Sequence, residues 1–276
     1  MFRSPLLTFL IIGLFSISLS SCNTDALSYP TGEKYIGELK DDVPDGTGEM
    51  QWVTGDIYSG DFKNGAITGQ GTMKWNIGNT YTGAWENSQP HGFGTMTWPN
   101  GDIYKGEWNH EQRHGQGDMT WGVGATYSGN WMADMQHGEG LMTWETGDSY
   151  DGHWKEDLQH GNGLLTYSNG DVYDGEWKES LYHGKGVLTW ASGNCYDGQW
   201  KNNNQHGQGV LTYSTGDVYD GQWKEDLQHG KGVMIWSAGD EYNGQWKMGQ
   251  ISGKGTMTYA NGLINKGEWL NSIFQP

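Results

Sequence analysis

The chain has 276 residues, of which 16 are basic and 33 acidic, so its formal net charge of −17 argues against nucleic acids and makes other polyanions poor candidate partners. Cysteine occurs only twice, which excludes a disulfide framework, while glycine (46) and tryptophan (16) are far too frequent for an ordinary globular domain.

Met1, Phe2 and Arg3 give a positively charged start, Leu6 to Leu14 is almost wholly apolar, and Ser16 to Ser21 is small and polar. This is the layout of a secretory leader, and its apolar core is too short for a bilayer span, which takes about 20 residues. The leader ends in Leu19-Ser20-Ser21-Cys22, which resembles a bacterial lipobox and makes Cys22 the expected lipid-attachment residue. The competing reading is a plain signal peptide that happens to precede a cysteine. The expected divisions are a signal peptide at 1–21, the lipid-anchored cysteine and a short tether at 22–26, a repeat array at 27–269 and a tail at 270–276. Loss of Arg3 with the leader leaves the mature chain at −18. The expected location is the bacterial cell envelope. Asn23 stands where an Asp retains such proteins in the inner membrane of enteric-type bacteria, which points to the outer membrane. Cys195 occupies a slot filled elsewhere by Ile57, Ile103, Val172 and Val218, so it reads as a strand residue and not a nucleophile.

From residue 32 onward one pattern repeats. Gly-x-x-Tyr-x-Gly-x-Trp opens at Gly78, Gly101, Gly124, Gly147, Gly170, Gly193, Gly216 and Gly239, each 23 residues after the last. Degenerate copies open at Gly32, Gly55 and Gly262, with Leu39, Phe62 and Asn265 in the altered slots. Such a period marks a repeat architecture. In the run from Gly163 to Trp177 both halves alternate with period 2, which is the strand period, and Ser168-Asn169-Gly170 between them reads as a hairpin turn. The fold class is therefore all-β: an elongated single-sheet array of ten to eleven 23-residue hairpins, joined by Lys-Glu-Asp-Leu-Gln-His-Gly loops. Two strands per repeat advance it by about 10 Å.

The expected structural residues are the triads Tyr81, Gly83, Trp85; Tyr104, Gly106, Trp108; Tyr127, Gly129, Trp131; Tyr150, Gly152, Trp154; Tyr173, Gly175, Trp177; Tyr196, Gly198, Trp200; Tyr219, Gly221, Trp223; and Tyr242, Gly244, Trp246. All 16 tryptophans fall on two registers, as expected of the core of a sheet. The opposite face reads as Thr, Asp, Glu and Gln. The glycine between Tyr and Trp leaves room for a ring to lie over the backbone.

Seven histidines, His91, His114, His137, His160, His183, His206 and His229, each precede a glycine. Equivalent residues about 10 Å apart cannot converge on one Zn²⁺, whose ligands lie about 2.0–2.1 Å from it. They read as loop-fixing residues, and no metal or other cofactor is assigned. The Gly-x-Gly pairs lack the remaining features of nucleotide loops and read as turn glycines. Asp151, Asp174, Asp197 and Asp220, with Asp148, Asp171 and Asp217, form an acidic comb whose default is a solvated face, with weak Ca²⁺ or Mg²⁺ binding as the alternative. No catalytic constellation breaks the repeat.

Tyr150-Asp151-Gly152-His153-Trp154 followed by His160-Gly161-Asn162-Gly163 resembles the MORN (membrane occupation and recognition nexus) motif, and the resemblance covers residues 27 to 269. It implies protein–protein scaffolding, self-association and, in some members, phospholipid contact. Relatives carry these repeats beside lipid-kinase or methyltransferase domains, neither of which occurs in these 276 residues. The expected function is thus a non-enzymatic, lipid-anchored scaffold that binds a protein partner and touches the membrane through its N-terminal lipid. The alternative is a glycan- or phospholipid-binding module using an exposed Trp/Tyr ladder. Strand edges at Tyr29 and Trp269 make a homo-oligomer a further expectation, unless Ile273 and Phe274 cap the second.

Overall fold

A computed structural model describes residues 25–275. The leader, Cys22 and the first part of the tether lie outside the described residues. The rest is 23 antiparallel strands assigned by hydrogen bonding to one sheet, from β1 (Asp25–Ser28) to β23 (Ile273–Gln275). The even strands from β2 (Lys34–Lys40) to β22 (Ile264–Leu270) have seven residues and carry Tyr-x-Gly-x-Trp or, at Leu39, Phe62 and Asn265, its degenerate forms; the odd strands between them have nine. Two compact units result: the described residues up to Val123 with Met132–Asp134, and Gly124–Trp131 with the residues from Met135 on.

One repeat of the second unit shows why this sequence makes hairpins. In β12 (Ser149–Lys155), Tyr150, Gly152 and Trp154 are buried while Asp151 and His153 are exposed, the alternation of a strand with one solvated face. β13 (Leu158–Thr166) then runs back along it, pairing Tyr150 with Leu165 and Gly152 with Gly163. The next turn closes through Gly170 N–H donating to the Tyr167 carbonyl, and Gly170 has φ +95°, where an L-side chain is strained. From there β14 (Val172–Lys178) pairs with β13.

The connection between repeats differs from expectation. Lys155 to Gly161 is not a loop. All but Glu156 and Asp157 belong to strands, and those two form a two-residue turn with φ of 50° and 65°. Two successive positive φ values define the turn whose twist matches antiparallel strands, and it is built here from non-glycine residues. Asn202 with Asn203 and Glu225 with Asp226 repeat it. The first glycine of Gly-x-Gly likewise serves a β-bulge: Gly161 has φ +61°, and the β12–β13 register shifts between Gly152 and Trp154.

The core is a zipper of rings. Tyr150 meets Trp154 edge-on at 5.1 Å and Trp177 of the next repeat at 5.1 Å, and the same alternation runs through each unit. Edge-to-face pairs of this kind add about 0.5–1.5 kcal/mol each beyond the area they bury. Tyr182, the one tyrosine in neither aromatic register, is also core: it stacks on Tyr173 at 3.6 Å and its hydroxyl lies 2.7 Å from that of Tyr167. At the C-terminal edge, Phe274 pairs with Trp269 and packs on its ring.

Candidate functional site

The ten tyrosines of the Tyr-x-Gly slot, from Tyr35 to Tyr242, are 0–1 % exposed, and the tryptophans of the same strands 3–7 %. Their polar atoms are used internally. Tyr150 Oη donates to the His153 carbonyl at 3.0 Å, and Trp154 Nε1 donates to the Gly140 carbonyl at 2.9 Å. Burial pushes these tyrosine hydroxyls upward, to about 12 at Tyr35 and in the same direction at Tyr150 and Tyr173. A side chain at Gly163 would sit 2.3 Å from Tyr150 Oη, and one at Gly152 2.5 Å from Gly163 Cα, so the triad glycines make room for ring and backbone together. These triads are framework, and no ligand can reach them.

A second aromatic register is half-buried: Trp144, Tyr167, Trp190, Tyr213, Trp236 and Tyr259 in the second unit. These residues stand just before the glycine turns, where each is partly open to solvent.

The solvated face of the second unit is not uniformly polar, as the sequence suggested. Asp151 pairs across the strands with Leu141 and Leu164, Asp174 with Leu164 and Val187, Asp197 with Val187 and Val210, and Asp220 with Val210 and Val233. The four aspartates are exposed, Leu141 and Leu164 are 44 % and 40 % exposed, and the valines are half-buried. The result is a stripe of alternating carboxylates and aliphatic side chains along mid-strand. Sequence reading found the aspartates but not their partners, because cross-strand neighbours follow from register. In the first unit the same row holds Thr72, Thr82 and Thr95, with a 3.0 Å hydrogen bond between the first two.

The other half of the acidic comb has a structural task. Asp148 accepts the backbone N–H of Ser168 at 2.8 Å and Thr146 Oγ1–H at 2.9 Å, and these bonds hold its carboxyl below the usual range. Asp171 and Asp217 cap the following repeats in the same way. Asp157 does the equivalent at the tight turn: its Oδ1 accepts the Gln136 N–H at 2.7 Å while its own N–H donates to the Gln136 carbonyl. Asn203 and Asp226 repeat it against Tyr182 and Gln205. These inter-repeat clamps were missed by sequence reading; the signal for them was a recurrent Asp, Asn or Ser one residue after the first turn position.

The seven histidines lie in strands and not in loops. At His91, His137 and His183 Nδ1 is buried without a hydrogen-bond partner among the described residues, so that nitrogen fixes no loop. It is the backbone carbonyl of this slot that bonds, as where Tyr196 Oη donates to His206 O. Cys195 is a half-buried free thiol paired in register with Thr189.

A single antiparallel sheet of 23-residue hairpins, zipped by Tyr and Trp, defines a repeat protein. The MORN repeat model matches ten consecutive segments from 35–57 to 242–264, and the chain belongs to the MORN repeat family. Of the degenerate copy that opens at Gly262, Asn265, Gly267 and Trp269 fall beyond those ten. No curated protein matches the sequence. Among solved structures, the TCP10c domain of Drosophila melanogaster Sas-4 is similar at 11 % identity and a TM-score of 0.35, covering 60 % of this chain and 100 % of that one. The TCP10 domain of Danio rerio CPAP in complex with a STIL peptide shares 11 % identity over 93 % of this chain and 100 % of that one, with a TM-score of 0.30. Virginiamycin B lyase from Staphylococcus aureus shares 11 % over 95 % and 90 %, with a TM-score of 0.16. Likeness at this level bears on neither function nor partner.

Proposed function

We propose that the chain is a non-enzymatic scaffold of the bacterial cell envelope, anchored through lipid on Cys22, which binds a protein partner along the solvated face of its repeats. The observation that supports this most is the stripe of Asp151, Asp174, Asp197 and Asp220 alternating with Leu164, Val187, Val210 and Val233. Aliphatic side chains give area to bury, and regularly spaced carboxylates select a basic, amphipathic partner and speed its encounter. With the Tyr–Trp zipper consumed by packing, this face is what remains to vary between repeats. An anionic lipid surface fits an acidic stripe poorly, so the proposed membrane contact is the anchor alone.

A second reading, glycan or lipid stacking, is favoured by the half-buried register that includes Trp190 and Trp236. The two separate in a pull-down from detergent-solubilised envelope, using the wild-type chain and a Trp190→Ala/Trp236→Ala variant whose fold is checked by circular dichroism. The scaffold reading expects a specific protein retained by both. Polysaccharide or lipid captured by the wild type and lost by the variant contradicts it. Cys22→Ser tests the anchor: the chain should leave the membrane fraction, and its continued presence there would refute lipid attachment at that residue.

A further inference from the structure

We propose that Glu86, His91 and His110, in the first unit, form a binding site for one divalent transition-metal ion of the zinc type. One ligating atom from each lies within 4.8 Å of the other two, and among the described residues no other such group of three His, Cys, Asp or Glu occurs. His91 Nε2 is 3.5 Å from Glu86 Oε2, and the two imidazole rings are 5.3 Å apart between centroids. Tetrahedral Zn²⁺ with bonds of about 2.0–2.1 Å needs ligand atoms about 3.3 Å apart. The His91–Glu86 pair is nearly there. Glu86 and His110 are exposed beside their turns, so side-chain rotation closes the rest.

The backbone places the three together. Glu86 ends β6 (Thr80–Glu86) and His91 lies in β7 (Gln89–Thr97), one hairpin turn later. His110 follows β8 (Ile103–Asn109), and the adjacent Glu111 N–H donates to the Pro90 carbonyl at 3.1 Å, holding that turn against β7 beside His91. Asn109 Oδ1 is 2.5 Å from His110 Nδ1 and can only accept, so Nδ1 donates and Nε2 keeps its lone pair for a ligand. In His91, Nε2 is likewise the nitrogen turned to the carboxylate.

The repeat makes this place unusual. The slot of Glu86 holds Lys63, Lys155 and Lys178 in other copies, and the slot of His110 holds Asn64, Asn87 and Asn202. Two departures from the pattern therefore meet on one repeat histidine. The distance argument against a histidine array concerned equivalent residues and still stands; His110 belongs to a different register, which is how it reaches His91. Two imidazoles and one carboxylate suit Zn²⁺, Co²⁺, Ni²⁺ or Cu²⁺ better than Ca²⁺ or Mg²⁺, and leave a coordination position for water or a partner's side chain. An ion here ties two successive turns together.

The test is calorimetric Zn²⁺ titration of the full chain, with Co²⁺ visible absorption as a second readout, on wild type, Glu86→Lys, His110→Asn and His153→Asn. The first two variants carry residues that neighbouring repeats already place in those slots, so the fold is retained, as circular dichroism will verify. His153→Asn is the control, removing an exposed histidine that lies 2.8 Å from Glu139 in the second unit. The expected result is one Zn²⁺ per wild-type chain, weakened by about tenfold or more in Glu86→Lys and His110→Asn and unchanged in the control. No uptake by the wild type, or wild-type affinity in both site variants, overturns the proposal.

Discussion

Removing the hydroxyl in Tyr150→Phe deletes the hydrogen bond to the His153 carbonyl but leaves the ring between Trp154 and Trp177. The expected loss is about 1 kcal/mol, read as a shift in the denaturant midpoint. Gly163→Ala should be worse, because its Cβ meets Tyr150 Oη at 2.3 Å and the ring is held on both sides. A loss of about 1–3 kcal/mol follows, and an unchanged midpoint would show that the ring can yield. Asp148 and Asp217 set the acid limb. Their carboxyls are held below the ordinary 3.8 by backbone N–H donors, so the stabilisation they give is present above that value and is lost as pH falls through the lower folded value. Replacing both with Asn should flatten the decline of thermal midpoint with falling pH in that range.

At the scale of the element, the tight turn between repeats is the feature with most consequence. Glu156 sits at φ 50° with a side chain that gains nothing from it, whereas Asn occupies the same position at Asn202. Glu156→Asn should stabilise by about 0.5–1 kcal/mol, and calorimetry that finds no gain would mean the turn is already relaxed. Asp157→Ala should destabilise, because it strips the acceptor from the Gln136 N–H. Much of this architecture was legible: strand period, glycine turn, aromatic registers and the Tyr-x-Gly-x-Trp core all follow from residues spaced at 23. The connection was not. Lys155 to Gly161 is polar apart from Leu158 and lacks an Asn-Gly pair, so nothing announces a two-residue turn, and a bulge at Gly161 absorbs the extra residue. The stripe and the Glu86–His91–His110 group were hidden for a related reason, since both depend on which residues face each other across strands.

On the scale of the molecule, the ten buried tyrosines predict the alkaline limit. Folding raises their hydroxyls above the ordinary 10.0, so their contribution to stability is whole below that pH and is lost as pH climbs toward the raised folded values. Tyrosinate absorbance and loss of the β circular-dichroism signal should rise together in alkali. Ionisation of most tyrosines near pH 10.0 with the sheet intact would mean the zipper is open to solvent. With the zipper buried, the proposed surface for recognition is the stripe. It is tested most directly by measuring affinity for the captured protein partner in two folded variants: Asp151→Lys/Asp174→Lys/Asp197→Lys on the stripe, and Trp190→Ala/Trp236→Ala on the half-buried register. The first should lose about tenfold or more in affinity and the second should stay within a few-fold of wild type. The reverse order would contradict it and assign binding to the aromatic row.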